Sequence, residues 1–322
     1  MEYLIDYGVF LAKLLTIVVV MAGFGGLVAL SLRRVQMERE GRLQVVSLNQ
    51  KYEAMELTLK AALLPRKAFK QRLKELKREH KRWEQAKAGS GETSRRRVFV
   101  LNFEGDIWAS AVASLREEIS SLLLVATPRD EVVLLLESRG GQVHGYGLAA
   151  SQLRRLREHG IPLTVAVDKL AASGGYMMAC VANRIIAAPF AIVGSIGVAT
   201  ELPNFNRFLR GHDIDYEQIT AGEFKRTLTL FGENTEKGRS KIREEVEVTH
   251  ELFKKFVQTH RPQVDVAQVA TGEHWYGQRA LELHLVDAIQ TSDDYLREAL
   301  ANADLYAVSY RRKRGWLRQW FS

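Results

Sequence analysis

Residues 131–137 read EVVLLLE, five consecutive apolar residues between two glutamates. An apolar run of this length, bounded by polar residues, is typical of a strand that is buried on both faces. Similar runs occur at 97–103 (RVFVLNF) and 162–167 (PLTVAV), and helical patterns near 108–125 and 143–158 separate them. Buried strands that alternate with amphipathic helices predict a layered α/β domain with mainly parallel strands.

The net charge of the 322-residue chain, +8, comes from outside that α/β region. Residues 33–97 hold 19 Lys and Arg against 8 Asp and Glu, whereas residues 98–310 hold 21 against 28. A nucleic-acid enzyme normally carries its basic surface on the folded domain that contacts the backbone phosphates. Because the body of this chain is acidic, we expect no nucleic-acid partner.

Neither a cofactor nor a metal ion is predicted. The single cysteine, Cys180, lies in the apolar run MMACVA (177–182) and is expected to be a small buried hydrophobe with no disulfide or metal partner. The sequence contains no phosphate loop with Gly-Lys-Ser/Thr, so nucleotide binding has no direct support.

An uncharged run of 19 residues extends from Leu14 to Leu32. At the rise of an α-helix it covers roughly 28 Å, close to the thickness of the hydrocarbon core of a bilayer. We interpret residues 1–34 as an N-terminal transmembrane anchor. A buried core helix and a cleaved signal peptide are the alternatives, although the start of a signal peptide should be basic. The arginines that follow the run favour a cytoplasmic position for the rest of the chain.

Residues 35–97 alternate Lys and Arg with Glu and are predicted to form a basic helical neck. Apolar residues recur there at near-helical spacing: Leu43, Val46, Tyr52, Met55, Leu59 and Leu63. The neck is either a solvated, coiled-coil-like spacer or a basic surface that lies against anionic lipid headgroups.

The last segment, residues 311–322, combines five basic residues with Trp316, Trp320 and Phe321. Such a basic aromatic tail suits either an interfacial membrane segment or a contact between subunits. Both interpretations stay open.

Three glycine-bearing turns follow strands within the α/β body, residues 98–310. They are Ser138-Arg139-Gly140-Gly141, Ala172-Ser173-Gly174-Gly175 and Gly194-Ser195-Ile196-Gly197. Turns of this kind leave backbone N–H groups free, which suits stabilisation of an oxyanion, although many serve only tight packing. The long apolar stretch 171–200 that contains two of them is interrupted by Asn183 and Arg184, so it is predicted to be domain core and not a second membrane span.

A serine in such a turn needs a base before it can act as a nucleophile. None of the eight histidines lies in a recognisable triad context. A lysine can replace histidine when burial among apolar groups keeps it neutral. Lys225 is a candidate because apolar residues flank it on both sides (AGEF before, TLTLF shortly after).

Several segments match a known family in order and spacing. They are DKLAASGGY (168–176), IVGSIGV (192–198), TAGEFKR (220–226) and VATGEHWYG (269–277). With the N-terminal span and the basic neck, they resemble the signal peptide peptidase A family over nearly the whole chain. The motifs are specific in combination, whereas each alone would be weak.

The resemblance implies a serine endopeptidase that forms an acyl-enzyme, built on the spiral of ββα units shared by the Clp protease and crotonase superfamily. It implies that Ser173 is the nucleophile, that Lys225 is the general base and that Ser195 orients the lysine amine. The oxyanion would be held by the backbone N–H of Gly174 and by an N–H from the Gly140-Gly141 turn.

The resemblance also implies a single-pass protein of the bacterial inner membrane that acts on peptides or protein fragments. In related peptidases the serine and lysine meet across a subunit boundary, so a homo-oligomer is implied. The best-known relatives are thought to act outside the cytoplasm, against the charge pattern here. Two positions depart from the family: Arg139 replaces the usual Pro, and His284 replaces the usual Gly.

Two other functions are compatible with the same turns. A crotonase-like acyl-CoA enzyme would use two of the glycine turns to polarise a thioester carbonyl, without needing the serine and the lysine. A catalytically inactive membrane scaffold would have kept the turns for packing alone.

Overall fold

The computed structural model describes residues 41–75, residue 78 and residues 95–311. The predicted transmembrane anchor, residues 1–34, and all but the first residue of the tail lie outside these ranges, as does the smaller part of the neck. Among the residues described, none of the helices is long and apolar enough to cross a membrane.

The chain divides into two compact units. The larger comprises Val45–Ser309, and the smaller comprises Met1–Gln44 with Tyr310–Ser322. In the smaller unit the Tyr310 ring packs directly over Gly41, so that a Cβ there would lie 2.3 Å from it and the ring would have to move.

Strands of the described residues form one branched sheet. They are β1 (Arg42–Ser47), β2 (Arg96–Gly105), β3 (Glu131–Ser138), β4 (Leu163–Val167), β5 (Leu170–Ala172), β6 (Arg184–Ala187), β7 (Ile192–Gly194), β8 (His274–Tyr276), β9 (Ala288–Ile289) and β10 (Ala303–Arg311). The main row has the order β1-β10-β2-β3-β4-β6-β9. A short second row, β5-β7-β8, branches from the end of β3, where Ser138 pairs with Ala171.

From β10 to β9 the pairs of the main row are parallel, and so are β3–β5 and β5–β7, whereas β7–β8 is antiparallel. The fold is therefore mixed α/β with a mainly parallel sheet, as predicted from the alternating pattern.

Helices connect these strands. The longer ones are α1 (Leu48–Leu63), α2 (Val112–Leu123), α3 (Val143–Glu158), α6 (Glu236–His260) and α9 (Ser292–Ala299). The short ones are α4 (Gly174–Ala179), α5 (Asn206–Arg210), α7 (Val266–Val269) and α8 (Gly277–Glu282). Residues 66–75 are also helical.

Strand β3 is buried on both faces, which confirms the interpretation of EVVLLLE. Val132, Leu134 and Leu136 pack into the main hydrophobic core, whereas Val133 packs into a second, smaller core on the other face. This alternation follows the two-residue period of a strand. The stretch 171–200 supplies much of the main core and is not a membrane span.

The helical prediction for the neck is wrong over residues 42–47, which form β1. The β-branched pair Val45-Val46 favours a strand, and the Ser47 side chain accepts a hydrogen bond from the Gln50 N–H (3.4 Å), so the helix begins only at Leu48. Helix α1 then ends at Leu63, before Pro65. Its first residue, Leu48, packs into the smaller core with β2 and β10.

The pattern predicts α3 at its observed bounds, whereas α2 begins four residues later than the predicted 108. The Asp106 carboxylate accepts hydrogen bonds from the N–H groups of Trp108 (3.2 Å) and Ser110 (2.8 Å). This turn, with Ala109 at φ +52°, delays the helix.

Candidate active site

Ser173 lies between β5 and α4 in a conformation that is rare for a residue with a side chain. Its φ is +52° and its ψ is −117°. Its N–H donates to the Gly194 carbonyl (2.8 Å), and its own carbonyl accepts from the Met177 N–H (2.9 Å). Strained backbone of this kind persists only where the surroundings fix it, and it is concentrated at functional sites.

A cavity of about 890 Å³ opens beside Ser173. Gly141 and Gly174 line it on one side, and Ser195 lines it as well. Apolar side chains from α3, α4 and α6 form much of the remaining wall: Val143, Met177, Leu252, Phe253 and Phe256. A concave, largely apolar site with a few polar groups is the usual form of a binding pocket.

The two glycine turns at Gly140 and Gly174 touch each other. A Cβ at Gly140, whose φ is +85°, would lie 2.7 Å from the Gly174 nitrogen and 2.8 Å from the Ser173 Cβ, so only glycine fits there. The Gly140 N–H already donates to the Ser138 Oγ (3.0 Å). By contrast, the N–H groups of Gly141 and Gly174 have no hydrogen-bond acceptor within the described ranges of the chain. These two are the donors available to an oxyanion.

Ser195, the third predicted side chain, also has a positive φ (+49°). Its N–H donates to the Glu273 carbonyl (2.7 Å), and its hydroxyl donates to the Gly272 carbonyl over a long 3.4 Å. The imidazole of His250, on α6, lies 3.2 Å from the Ile196 carbonyl in the same turn. The turn is therefore held between the β8 segment and α6 at the edge of the cavity.

The structure of a single chain does not bring Lys225 to this site. Lys225 is exposed in the segment between α5 and α6 and is not among the residues that line the cavity. Its backbone N–H donates to the Gly222 carbonyl (3.1 Å), but no hydrogen bond or ion pair joins its amine to another residue that the structure describes. The burial that the flanking apolar residues led us to expect is absent within this chain.

The longer stretch from residue 202 to residue 231, which includes α5 and Lys225, exposes many large apolar side chains. They are Leu202, Phe205, Phe208, Ile214, Tyr216, Ile219, Phe224, Leu230 and Phe231. Many exposed apolar side chains within one stretch of chain are typical of an interaction surface.

Sequence reasoning missed the wall that α6 contributes to the cavity. Thr249, Phe253 and Phe256 reach the cavity although they lie far along the chain from Ser173. Their helical spacing was the available signal, but it indicates only that one face of a helix is covered, not what covers it.

The two residues that depart from the family pattern, Arg139 and His284, lie in different structural environments. Arg139 is exposed, so its side chain projects from the first glycine turn towards solvent. His284 has a φ of +59°, a conformation that suits the glycine usual there. In the part of the chain that is described, no three His, Cys, Asp or Glu side chains converge on a possible metal site.

Comparisons with known proteins identify the family of this chain. Residues 2–153 match the profile described as "Peptidase family S49 N-terminal", and residues 155–306 match "Peptidase family S49". The chain belongs to peptidase family S49. The chain is thus a member of a peptidase family with a mixed α/β fold.

Two S49 relatives are similar over most of their length. One is "Probable protease SohB" of Haemophilus influenzae, 47% identical, with 99% of this chain and 92% of the relative covered. The other is "Probable protease SohB" of Buchnera aphidicola subsp. Schlechtendalia chinensis, 44% identical, with 92% and 99% covered. A solved structure, of the 1510-N membrane-bound stomatin-specific protease with a substrate peptide, aligns with a TM-score of 0.45 at 12% identity over 71% of this chain and 98% of that chain.

Proposed function

We propose that this protein is a membrane-anchored serine endopeptidase with Ser173 as nucleophile and Lys225 as general base. The observation that carries the proposal is the position of Ser173: a strained residue at the edge of a large cavity, next to the unpaired N–H groups of Gly141 and Gly174. A nucleophile beside two preorganised donors suits attack on a carbonyl whose oxygen becomes negatively charged.

The reaction proceeds through an acyl-enzyme. The Ser173 Oγ attacks the scissile carbonyl, and its proton passes to the neutral Lys225 amine. The lysine then delivers that proton to the departing peptide nitrogen as the C–N bond breaks. Water, deprotonated by the same lysine, attacks the ester, and the lysine returns this proton to the Ser173 Oγ as the ester C–O bond breaks. In both tetrahedral intermediates the N–H groups of Gly141 and Gly174 hold the oxyanion.

The base comes from a second copy of the chain. The exposed apolar segment that carries Lys225 supports this assignment, because such a surface needs a partner and the lysine makes no contact with its own cavity. On assembly, Ser195 would exchange its long hydrogen bond to Gly272 for one to the incoming amine and orient it. The protein is then a homo-oligomer with its sites at subunit boundaries.

The substrates are peptides or fragments of membrane-associated proteins. Val143, Met177 and Phe253 line the cavity and favour an apolar side chain next to the scissile bond. The uncharged run from Leu14 to Leu32 supports a single-pass anchor in the bacterial inner membrane, and the arginines after it favour a catalytic domain on the cytoplasmic side.

For the fold, we propose the spiral of ββα units of the Clp protease and crotonase superfamily. Twice a strand of the main row leads directly into a short strand of the second row, from β4 to β5 and from β6 to β7. After β5 a helix, α4, follows at once, which completes one ββα unit.

The test is labelling of the purified, detergent-solubilised full chain with a fluorophosphonate, read by mass spectrometry of the labelled peptide. Wild type should be labelled at Ser173, and both Ser173→Ala and Lys225→Ala should lose the label. Lys255→Ala, which removes another exposed lysine, serves as the control and should label like wild type.

Mixing the two inactive variants tests whether the dyad crosses a subunit boundary. A Lys225→Ala chain still has Ser173, and a neighbouring Ser173→Ala chain still has Lys225, so mixed oligomers should regain labelling. Mixtures that stay unlabelled would place the base within the chain. Full labelling of Lys225→Ala alone would exclude Lys225 as the general base. An unlabelled wild type would exclude Ser173 as the nucleophile.

A further inference from the structure

Tyr146, on α3, is fully buried and makes two hydrogen bonds through its hydroxyl. That oxygen lies 2.8 Å from the Asp106 carbonyl and 2.6 Å from the Ser138 Oγ. A phenol hydroxyl has a single hydrogen to donate, and a carbonyl oxygen can only accept. Tyr146 therefore donates to the Asp106 carbonyl and must accept from the Ser138 hydroxyl. Ser138 in turn accepts from the Gly140 N–H (3.0 Å). The donors thus run in one direction, from Gly140 through Ser138 and Tyr146 to Asp106.

Backbone encloses this chain of hydrogen bonds tightly. A Cβ at Gly105 would lie 2.4 Å from both the Ser138 Oγ and the Tyr146 hydroxyl oxygen. A Cβ at Gly174 would lie 2.4 Å from Cγ of the Tyr146 ring. The Tyr146 ring therefore packs against Gly174. The Tyr146 hydroxyl is linked through Ser138 to the turn that contains Gly141.

The loop that Tyr146 holds at Asp106 also supports Gly141. The Gln142 N–H donates to the Ile107 carbonyl (2.8 Å), and a Cβ at Gly141 would lie 2.2 Å from that same oxygen. Gly141 is thus enclosed between this loop and the Gly140 turn. Displacement of either would move the Gly141 N–H.

We propose that Tyr146 and Ser138 are positioning residues that fix the N–H groups of Gly141 and Gly174 relative to each other. The proposal rests on the proposed function, because it needs an oxyanion at these two groups. Donors stabilise a transition state best when they are held in place before the charge develops. Neither side chain lines the cavity, so neither touches the substrate.

The protonation state of the phenol agrees with this role. Burial raises the pKa of Tyr146 above its usual value. The hydroxyl therefore keeps its proton, and the direction of the hydrogen bonds is unchanged, throughout the neutral range.

The test uses phosphonylation of Ser173 in the full chain by a fluorophosphonate, with the maximal rate, kinact, separated from the binding constant, KI. In this step an Oγ–P bond forms, the P–F bond breaks with loss of fluoride, and the Ser173 proton passes to the base. The phosphoryl oxygen occupies the oxyanion position. Tyr146→Phe keeps the ring and removes the hydroxyl, and we expect kinact to fall by about tenfold, less than loss of a direct donor, with KI within about twofold of wild type.

Tyr176→Phe is the matched control. Tyr176 is equally buried and also donates to a backbone carbonyl, but that carbonyl belongs to Leu285 (3.0 Å), outside the hydrogen bonds that link Gly140, Ser138 and Asp106. A general loss of stability would affect both variants alike, whereas a positioning role lowers kinact in Tyr146→Phe alone.

Ser138→Ala breaks the same series of hydrogen bonds at a different residue and leaves the Tyr146 ring in place. It removes the acceptor of the Gly140 N–H, and kinact should again fall with KI nearly unchanged. A kinact of wild-type size in Tyr146→Phe or in Ser138→Ala, with Ser173 labelled, overturns the positioning role. A wild type without label at Ser173 overturns the proposed function instead, so the two failures are distinguishable.

Discussion

The Cα of Gly140 lies so close to Ser173 that an added Cβ would be 2.8 Å from the serine Cβ. The turn after β3 and the turn after β5 are therefore in direct contact, although 32 residues separate these two positions in the sequence. This contact puts the Gly141 N–H and the Ser173 side chain on one cavity.

Gly140→Ala should strongly reduce fluorophosphonate labelling of Ser173. The new methyl group would meet the Gly174 nitrogen at 2.7 Å and would also strain a residue whose φ is +85°. We expect labelling by the fluorophosphonate to fall by at least about 100-fold, the size of effect seen on loss of an oxyanion donor. Gly147→Ala, which has open space at its Cβ, should instead stabilise α3 by about 0.5–1 kcal/mol. Labelling of Gly140→Ala at the wild-type rate would contradict the close contact.

Ser195→Ala should slow acylation by about tenfold, the effect of losing one hydrogen bond to the base. Ser151→Ala is the matched control, since its hydroxyl lies on the same cavity and donates to the Gly147 carbonyl (2.8 Å). The rate of fluorophosphonate labelling measures both. Equal rates in the two variants would argue against an orienting role for Ser195.

Asp287→Ala should destabilise the fold by about 3–5 kcal/mol, because it leaves the buried Arg261 guanidinium without its counter-charge. Arg261 is only 3% exposed and makes two hydrogen bonds to this carboxylate, at 2.7 and 2.9 Å. Removal of Glu282 from its exposed pair with Arg279 should cost less than about 1 kcal/mol. Denaturant unfolding measures the free energy of unfolding of the two variants. Similar losses in both would show that the buried pair matters no more than the exposed one.

The buried carboxylate of Asp130 should make stability depend on pH in the acid range. Burial raises the pKa of Asp130, but hydrogen bonds from Arg97 and Thr127 outweigh it and leave the pKa below its usual value. A carboxylate with a lowered folded-state pKa contributes stability above its unfolded pKa of about 3.9, and this contribution is lost as the pH falls through the folded value.

Asp130→Asn should therefore be less stable than wild type at pH 7, and the difference should shrink at about pH 3 and below. Urea unfolding at a series of pH values measures this difference. A constant difference between pH 7 and the acid end would show that the charge of Asp130 contributes nothing.

Much of the fold was predictable from local patterns. The strands β2, β3 and β4 each contain a run of mainly apolar residues, and α3 has a clear helical period, because burial dictates both. The strand β1 was not predictable in this way, because Leu43 and Val46 have a spacing that is compatible with a helix as well as with a strand.

The site was predictable only in part. The turns at Gly140 and Ser173 follow strands, as the sequence predicts, and they lie in contact with each other. The cavity wall from α6 depends on long-range packing that no local pattern encodes. The separation of Lys225 from Ser173 could not be foreseen from spacing either, because spacing does not distinguish one chain from two.

The exposed position of Lys225 has a consequence for newly made protein. Under the proposed assembly, a lone chain carries a nucleophile and a pocket but no base, and so resembles a zymogen that needs no propeptide. Proteolysis would begin only above the concentration at which chains associate. A dilute, freshly synthesised chain would be harmless to its neighbours, and dilution of the mature enzyme would switch it off reversibly.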